Sequence, residues 1–81
     1  MAAKHIPLTK TRTFTTKVDL GLWERDSDAG WTTADGYVVH RTYDRFGNAQ
    51  YWVRQKNGNY SLQDDLAAAR GAIDWLRDRG R

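Results

Sequence analysis

The stretch that decides the fold reads Tyr37-Val-Val-His-Arg-Thr-Tyr43, Asp44-Arg-Phe-Gly-Asn48, Ala49-Gln-Tyr-Trp-Val-Arg-Gln-Lys56, Asn57-Gly58. Two runs rich in aromatic and β-branched residues, suited to a pleated and half-buried surface, flank a five-residue connection with a late glycine. The Asn-Gly pair after the second run is the strongest short hairpin signal in the chain. A loop over 44–48 sets Tyr43 opposite Ala49, Arg41 opposite Tyr51, His40 opposite Trp52 and Val39 opposite Val53. Asn57-Gly58 read as a two-residue turn sets Lys56 opposite Asn59, Gln55 opposite Tyr60 and Val53 opposite Leu62. Side chains alternate across a strand, so one face collects Tyr37, Val39, Tyr43, Tyr51, Val53, Tyr60 and Leu62 and is the expected core face. Val38, His40, Thr42, Gln50, Trp52, Arg54 and Lys56 share the other face.

Downstream, Leu62, Leu66, Ala69, Ile73 and Leu76 recur at helical spacing, with Ala72 and Trp75 beside them, and predict a helix whose apolar stripe covers the sheet. Ser61 with Asp64 three residues on reads as its start, and Gly80 stands where it should stop. Asp64, Ala67, Arg70, Asp74, Arg77 and Asp78 fall on the outer side, with Arg70 and Asp74 able to pair. Gly71 in mid-helix costs about 1 kcal/mol relative to Ala, which a close approach of helix to sheet would offset.

Upstream, Phe14, Thr16, Val18, Leu20 and Leu22 alternate with Thr13, Thr15, Lys17 and Asp19, the mark of a half-buried strand over Arg12 to Leu22. Glu24 to Gly30 is polar and reads as a loop, and Trp31 to Thr33 as a short strand turning through Ala34-Asp35-Gly36. Residues 1–10 hold the only proline and no periodicity, and predict a flexible arm before a single domain over 11–81. The expected fold is α+β: a small antiparallel sheet of three to five strands packed on one C-terminal helix.

Eighty-one residues suit one core, and four Trp, four Tyr and two Phe must supply much of its apolar area. Cysteine is absent, which removes disulfides, thiolate nucleophiles and sulfur-ligated zinc and fits a reducing, cytoplasmic location. No apolar run approaches the roughly 20 residues that span a bilayer, so no membrane partner is expected. The serines, Ser27 and Ser61, stand in no nucleophile elbow, and the glycines form no phosphate cradle. An EF-hand needs a third oxygen ligand where Gly30 stands, glycine where Trp31 stands and Glu where Asp35-Gly-Tyr37 comes, so Glu24, Asp26 and Asp28 read as an acidic turn. We therefore expect no enzyme, cofactor or metal.

Binding is the remaining class. His40, Thr42, Gln50, Trp52, Arg54 and Lys56 put a Trp, cations and hydrogen-bonding groups on the sheet face away from the helix. That face is either a contact surface, or covered by the first strand or the arm with His40 as a packed neighbour. Arg41 shares the core parity and is expected at the sheet rim, its head in water. The net charge is +3, and basic residues near the ends, Lys10 and Arg12 in front and Arg79 and Arg81 behind, are candidates for phosphate contacts. An open edge strand would permit self-association, which the sequence neither requires nor forbids.

From Gly36 to Leu76 the order strand, loop, strand, Asn-Gly turn, strand, helix resembles AP2-type and integrase amino-terminal DNA-binding domains. That resemblance implies a sheet face entering the major groove through His40, Thr42, Gln50, Trp52, Arg54 and Lys56. Gly30-Trp31, Asp35-Gly-Tyr37, Tyr51-Trp52-Val53 and the segment Leu62 to Leu76 are similar to small accessory proteins of actinobacterial phages. This second resemblance implies a non-catalytic factor that binds and modulates or inhibits a host protein. The modest charge and the lone large ring at the centre of the face favour a protein partner over DNA.

Overall fold

A computed structural model describes residues 6–21 and 23–79. Strands β5 (Val38–Tyr43) and β6 (Ala49–Arg54) form the central hairpin, with Tyr43↔Ala49, Arg41↔Tyr51, His40↔Trp52 and Val39↔Val53 paired as expected. Asp44 builds the connection: its Oδ1 accepts the Phe46 and Asn48 amides at 2.9 Å each. Those bonds hold its carboxyl below the usual range, the Asn48 amide being the largest cause.

The next turn differs from the sequence reading. Gln55 N–H donates to Asn59 O at 2.7 Å and Gly58 N–H to Gln55 O at 3.0 Å, while Gly58 takes φ +90°. The loop is therefore the three residues 56–58, a turn closed by a left-handed glycine. Strand β7 (Tyr60–Gln63) consequently pairs as Arg54↔Tyr60, Val53↔Ser61, Trp52↔Leu62 and Tyr51↔Gln63. A one-residue change of register exchanges faces, so Tyr60 and Leu62 leave the expected core face for the Trp52 face.

With Ser61 inside β7, it does not cap the helix. Helix α1 runs Leu66–Arg79, and Asp65 caps it, accepting the Ala68 amide at 2.7 Å. Ala69 and Ile73 are buried, with Leu66 and Leu76 packed against the same cluster of Trp31, Tyr37, Val39 and Val53. Gly71 is exposed and a Cβ there would meet nothing within 4 Å, so no close approach explains it. Arg77 is not on the free outer side: its Nε and Nη2 donate to both Asp35 oxygens at 2.7 and 2.9 Å, and Nη1 reaches Asp74 at 3.0 Å. Asp74 thus pairs with Arg77 rather than Arg70. Gly80 lies outside the described residues.

The N-terminal third is one long hairpin with a bend. Strand β1 (Thr9–Arg12) pairs with β4 (Ala29–Thr32), and β2 (Thr16–Asp19) with β3 (Glu24–Ser27). The expected strand over 12–22 is thus interrupted at residues 13–15, with Leu22 outside the described residues, and the expected loop over 24–30 is largely strand. Ordered pairing begins at Thr9 rather than Thr11, with Leu8 packed on the core. Residues 1–5 of the arm lie outside the described residues. The fold is α+β: a five-stranded antiparallel sheet in the order β1-β4-β5-β6-β7, a two-stranded ribbon β2-β3, and one C-terminal helix.

Arg41 does more than rest at the rim. It forms a fork on Asp28 through Nε at 2.9 Å and Nη2 at 3.1 Å, which lowers the Asp28 carboxyl below its ordinary range. Asp35 is lowered further, first by the Arg77 hydrogen bonds. A carboxyl depressed in the folded state stabilises the fold above its unfolded value, and that contribution is lost as pH falls. The thermal midpoint should therefore drop as pH falls from about 5 towards 2. Asp35→Asn should lower the midpoint at neutral pH and shrink the acid decline; an unchanged acid decline in this variant would remove Asp35 from the account. Asp65→Ala should cost about 1 kcal/mol in urea unfolding through loss of the cap.

Candidate functional site

On the sheet face away from α1, His40, Trp52 and Leu62 stand side by side across β5, β6 and β7. Trp52 Nε1 donates to Thr42 Oγ1 at 2.8 Å, and the Thr42 hydroxyl donates to Gln50 Oε1 at 3.4 Å. Thr42 is fully buried, so this chain of bonds fixes the indole on a rigid strand.

The ribbon crosses this face. Its inner side carries Thr16, Val18, Arg25 and Ser27, while Lys17, Asp19, Glu24 and Asp26 point to solvent. Arg12 fastens it: Nη1 donates to Phe14 O at 2.6 Å and Ser27 O at 2.9 Å, and Nη2 to Ser27 Oγ at 2.7 Å and Ala29 O at 3.2 Å. Nη2 also lies 3.3 Å from His40 Nδ1. The guanidinium sits against Gly30, where a Cβ would come within 3.2 Å of it. At the ribbon tip Leu20 is buried, and Trp23 meets Trp52 edge to face with centroids 6.4 Å apart.

The face is thus shared. Of the six expected binding residues, Thr42 is buried, His40, Gln50 and Trp52 are half-buried, and Arg54 is exposed. Lys56 leaves this face altogether: it lies in the turn with its ammonium 5.2 Å from the Tyr37 ring. The open half belongs to β6 and β7, where Leu62, 47% exposed, stands beside Trp52 and shares the face with Arg54 and Tyr60, and Trp23, 48% exposed, meets Trp52 from the ribbon tip. A shallow depression lined by Asp19, Gly21, Arg54, Gly58 and Tyr60 adjoins them.

Trp23, Tyr60 and Leu62 were not expected in this site. For Tyr60 and Leu62 a signal existed, since Lys56-Asn57-Gly58 also fits a three-residue loop with glycine last, and that reading returns the observed register. Trp23 stands at the tip of a ribbon whose strands are too polar to announce themselves.

Of the expected phosphate contacts, Lys10 and Arg79 are exposed and Arg12 is half-buried. Arg12 is taken up by internal acceptors, Lys10 lies 5.6 Å from the Trp31 ring, and Arg79 lies 4.6 Å from Trp75. Arg81 is outside the described residues. The serines also have structural partners: Ser27 Oγ donates to Ala29 O at 2.9 Å, and Ser61 Oγ accepts from Gln63 Nε2 at 2.9 Å. In the acidic segment Asp26 pairs with Lys17 at 3.4 Å and Asp28 with Arg41. Among the described residues no group of three His, Cys, Asp or Glu side chains is placed to hold a metal, and no helix is long and apolar enough to cross a membrane. No protein-family model, no curated protein and no solved structure matches this chain.

His40 reports on the site. Burial, then the charges of Arg12 and Arg54, push its pKa below the ordinary value. The folded state therefore takes up the proton at lower pH than the unfolded chain, and stability declines as pH falls through about 6.5. An NMR titration should place the His40 midpoint below 6.5, and Arg54→Gln should raise it; an unperturbed midpoint would show the ring to be more open than described.

Proposed function

We propose that this chain is a non-enzymatic binding protein that docks on another protein through the open half of its sheet. One observation carries the reading: Trp23 and Trp52 meet edge to face, and Trp52 stands beside an exposed Leu62 on a face that also carries Tyr60 and Arg54. Rigid aromatic rings with an arginine at hand are the composition of interface hot spots. The resemblance to phage accessory proteins extends the proposal to a factor that modulates or inhibits a host protein in the bacterial cytoplasm.

Protein is preferred to DNA for a geometric reason. Reading a groove with the sheet face requires that face to be free and cationic, whereas the ribbon lies across it, and of the two exposed cations among the six positions Arg54 stays on that face while Lys56 lies in the turn. Phosphate neutralisation is the main source of DNA affinity.

Capture from bacterial lysate by immobilised wild type, Trp23→Ala, Arg54→Ala and Phe46→Ala tests the proposal, Phe46 being exposed in the β5–β6 loop outside the patch. Trp23→Ala should lose about 2 kcal/mol of binding, roughly thirtyfold in affinity, whereas Phe46→Ala should bind as wild type. Equal capture by all four would remove the patch. Tight, steeply salt-dependent binding of a labelled random duplex would replace the protein reading with the DNA one.

A further inference from the structure

The two edges of the five-stranded sheet are built differently. Edge strand β1 is Thr-Lys-Thr-Arg, follows Pro7, and slips register between Lys10 and Arg12. Charge, proline and irregularity are the devices by which sheets discourage further pairing. Edge strand β7 is Tyr-Ser-Leu-Gln, with no charge, proline or irregularity, and among the described residues β6 is its only hydrogen-bonded neighbour.

The turn shows which of its backbone groups point away from β6. Gln55 and Asn59 are hydrogen-bonded across the loop, and hydrogen-bonded pairs alternate along an antiparallel ladder. Val53/Ser61 and Tyr51/Gln63 are therefore the bonded pairs, and the N–H and C=O groups of Tyr60 and Leu62 point outward from the edge. Apolar side chains flank that edge on both sides: Leu62 on the Trp52 face, and Trp75, 58% exposed, on the helix face.

We propose that β7 pairs antiparallel with β7 of a second copy of this chain, joining two five-stranded sheets into one. The strand is self-complementary: with Ser61 on the two-fold axis, Tyr60 of each copy meets Leu62 of the other, and all four outward pairs of groups find partners. The same register brings Asp64 and Asp65 beside the turn of the other copy, which carries Lys56, so opposite charges meet at both ends. Trp23 and Trp52 stay on the sheet face, where the two patches become continuous across the axis. The pairing needs no host protein, so it stands or falls apart from the docking reading.

Sedimentation equilibrium on the purified chain over a wide concentration range tests it. Wild type should approach twice the 9.3 kDa chain mass. Leu62→Pro, which deletes an outward N–H at an edge position that tolerates proline, and Leu62→Lys, which keeps every strand hydrogen bond, should each weaken self-association at least tenfold. Thr11→Lys on the other edge should leave it unchanged. Amide exchange gives the register: Tyr60 and Leu62 should be protected at high concentration and exchange freely when dilute, while Ser61 and Gln63 stay protected in both. Should Leu62→Pro disturb the fold, seen by near-ultraviolet circular dichroism, Leu62→Lys decides. A wild type that remains monomeric at millimolar concentration, or a dimer that survives Leu62→Lys, overturns the proposal.

Discussion

The backbone of Gly58 determines what this protein presents to its surroundings. Its φ of +90° is open to glycine at little steric expense, and it turns Lys56-Asn57-Gly58 into a three-residue loop. The resulting register sends Tyr60 and Leu62 to one face and Ser61 and Gln63 to the other. Under the helix, Ser61 and Gln63 bond to each other, and with Ala68, Ala72, Trp75 and Leu76 they line an open groove. Because residues 60–63 are spent as strand, the helix has to start later, and the Asp64-Asp65 link that remains supplies its cap. One dihedral thus governs the hydrophobic face of β7, the start of α1 and the apolar character of the open half-sheet.

Arg12 governs the other half. The bend at Asp28 separates β3 from β4, and the Ser27 and Ala29 carbonyls on its two sides both accept from Arg12, as buried acceptors require donors. A guanidinium offers several N–H groups in one plane, and Arg12 delivers them to both carbonyls and to the fully buried Ser27 hydroxyl. Gly30 leaves the room for it. The same group that holds the ribbon on the sheet raises the positive potential at His40, which suits a neutral imidazole. An arginine near a chain terminus reads as a phosphate ligand; here both of its terminal nitrogens bond within the fold.

The central hairpin was legible because each level of the sequence agrees there: β-forming residues, an Asp that can wrap a loop, and Gly47 at φ +83°. The helix stripe from Leu66 to Leu76 was legible for the same reason, since its period matches one packed face. Polarity misled at Glu24–Ser27. Strand formation there depends on Thr16–Asp19 across the ribbon, and Arg25 is satisfied by the Tyr43 carbonyl at 2.8 Å, a partner that no local window contains. The Arg77–Asp35 pair spans 42 positions, and helical spacing alone placed Arg77 on the solvent side. Of the candidate site, Trp52 and Arg54 were legible from strand parity, whereas Tyr60 and Leu62 depended on a turn type that Asn-Gly leaves open between two lengths.

Positive charge in this chain is distributed largely over rings. Trp31 lies within 5.6 Å of both Lys10 and Arg41, Tyr37 within 5.2 Å of Lys56 and 5.6 Å of Arg77, and Trp75 within 4.6 Å of Arg79. A cation held over a ring face is a favourable contact worth about 0.5–1 kcal/mol at exposed sites, and a partner would have to displace or reorganise it. Trp23 and Trp52 instead meet each other, and no cation lies over either ring among the described residues. Docking there would displace water from apolar surface, the condition under which burial contributes most to association. The charge pattern therefore argues for the same surface as the register does: cations cover the rings on the helix side, and the open half of the sheet keeps its rings bare.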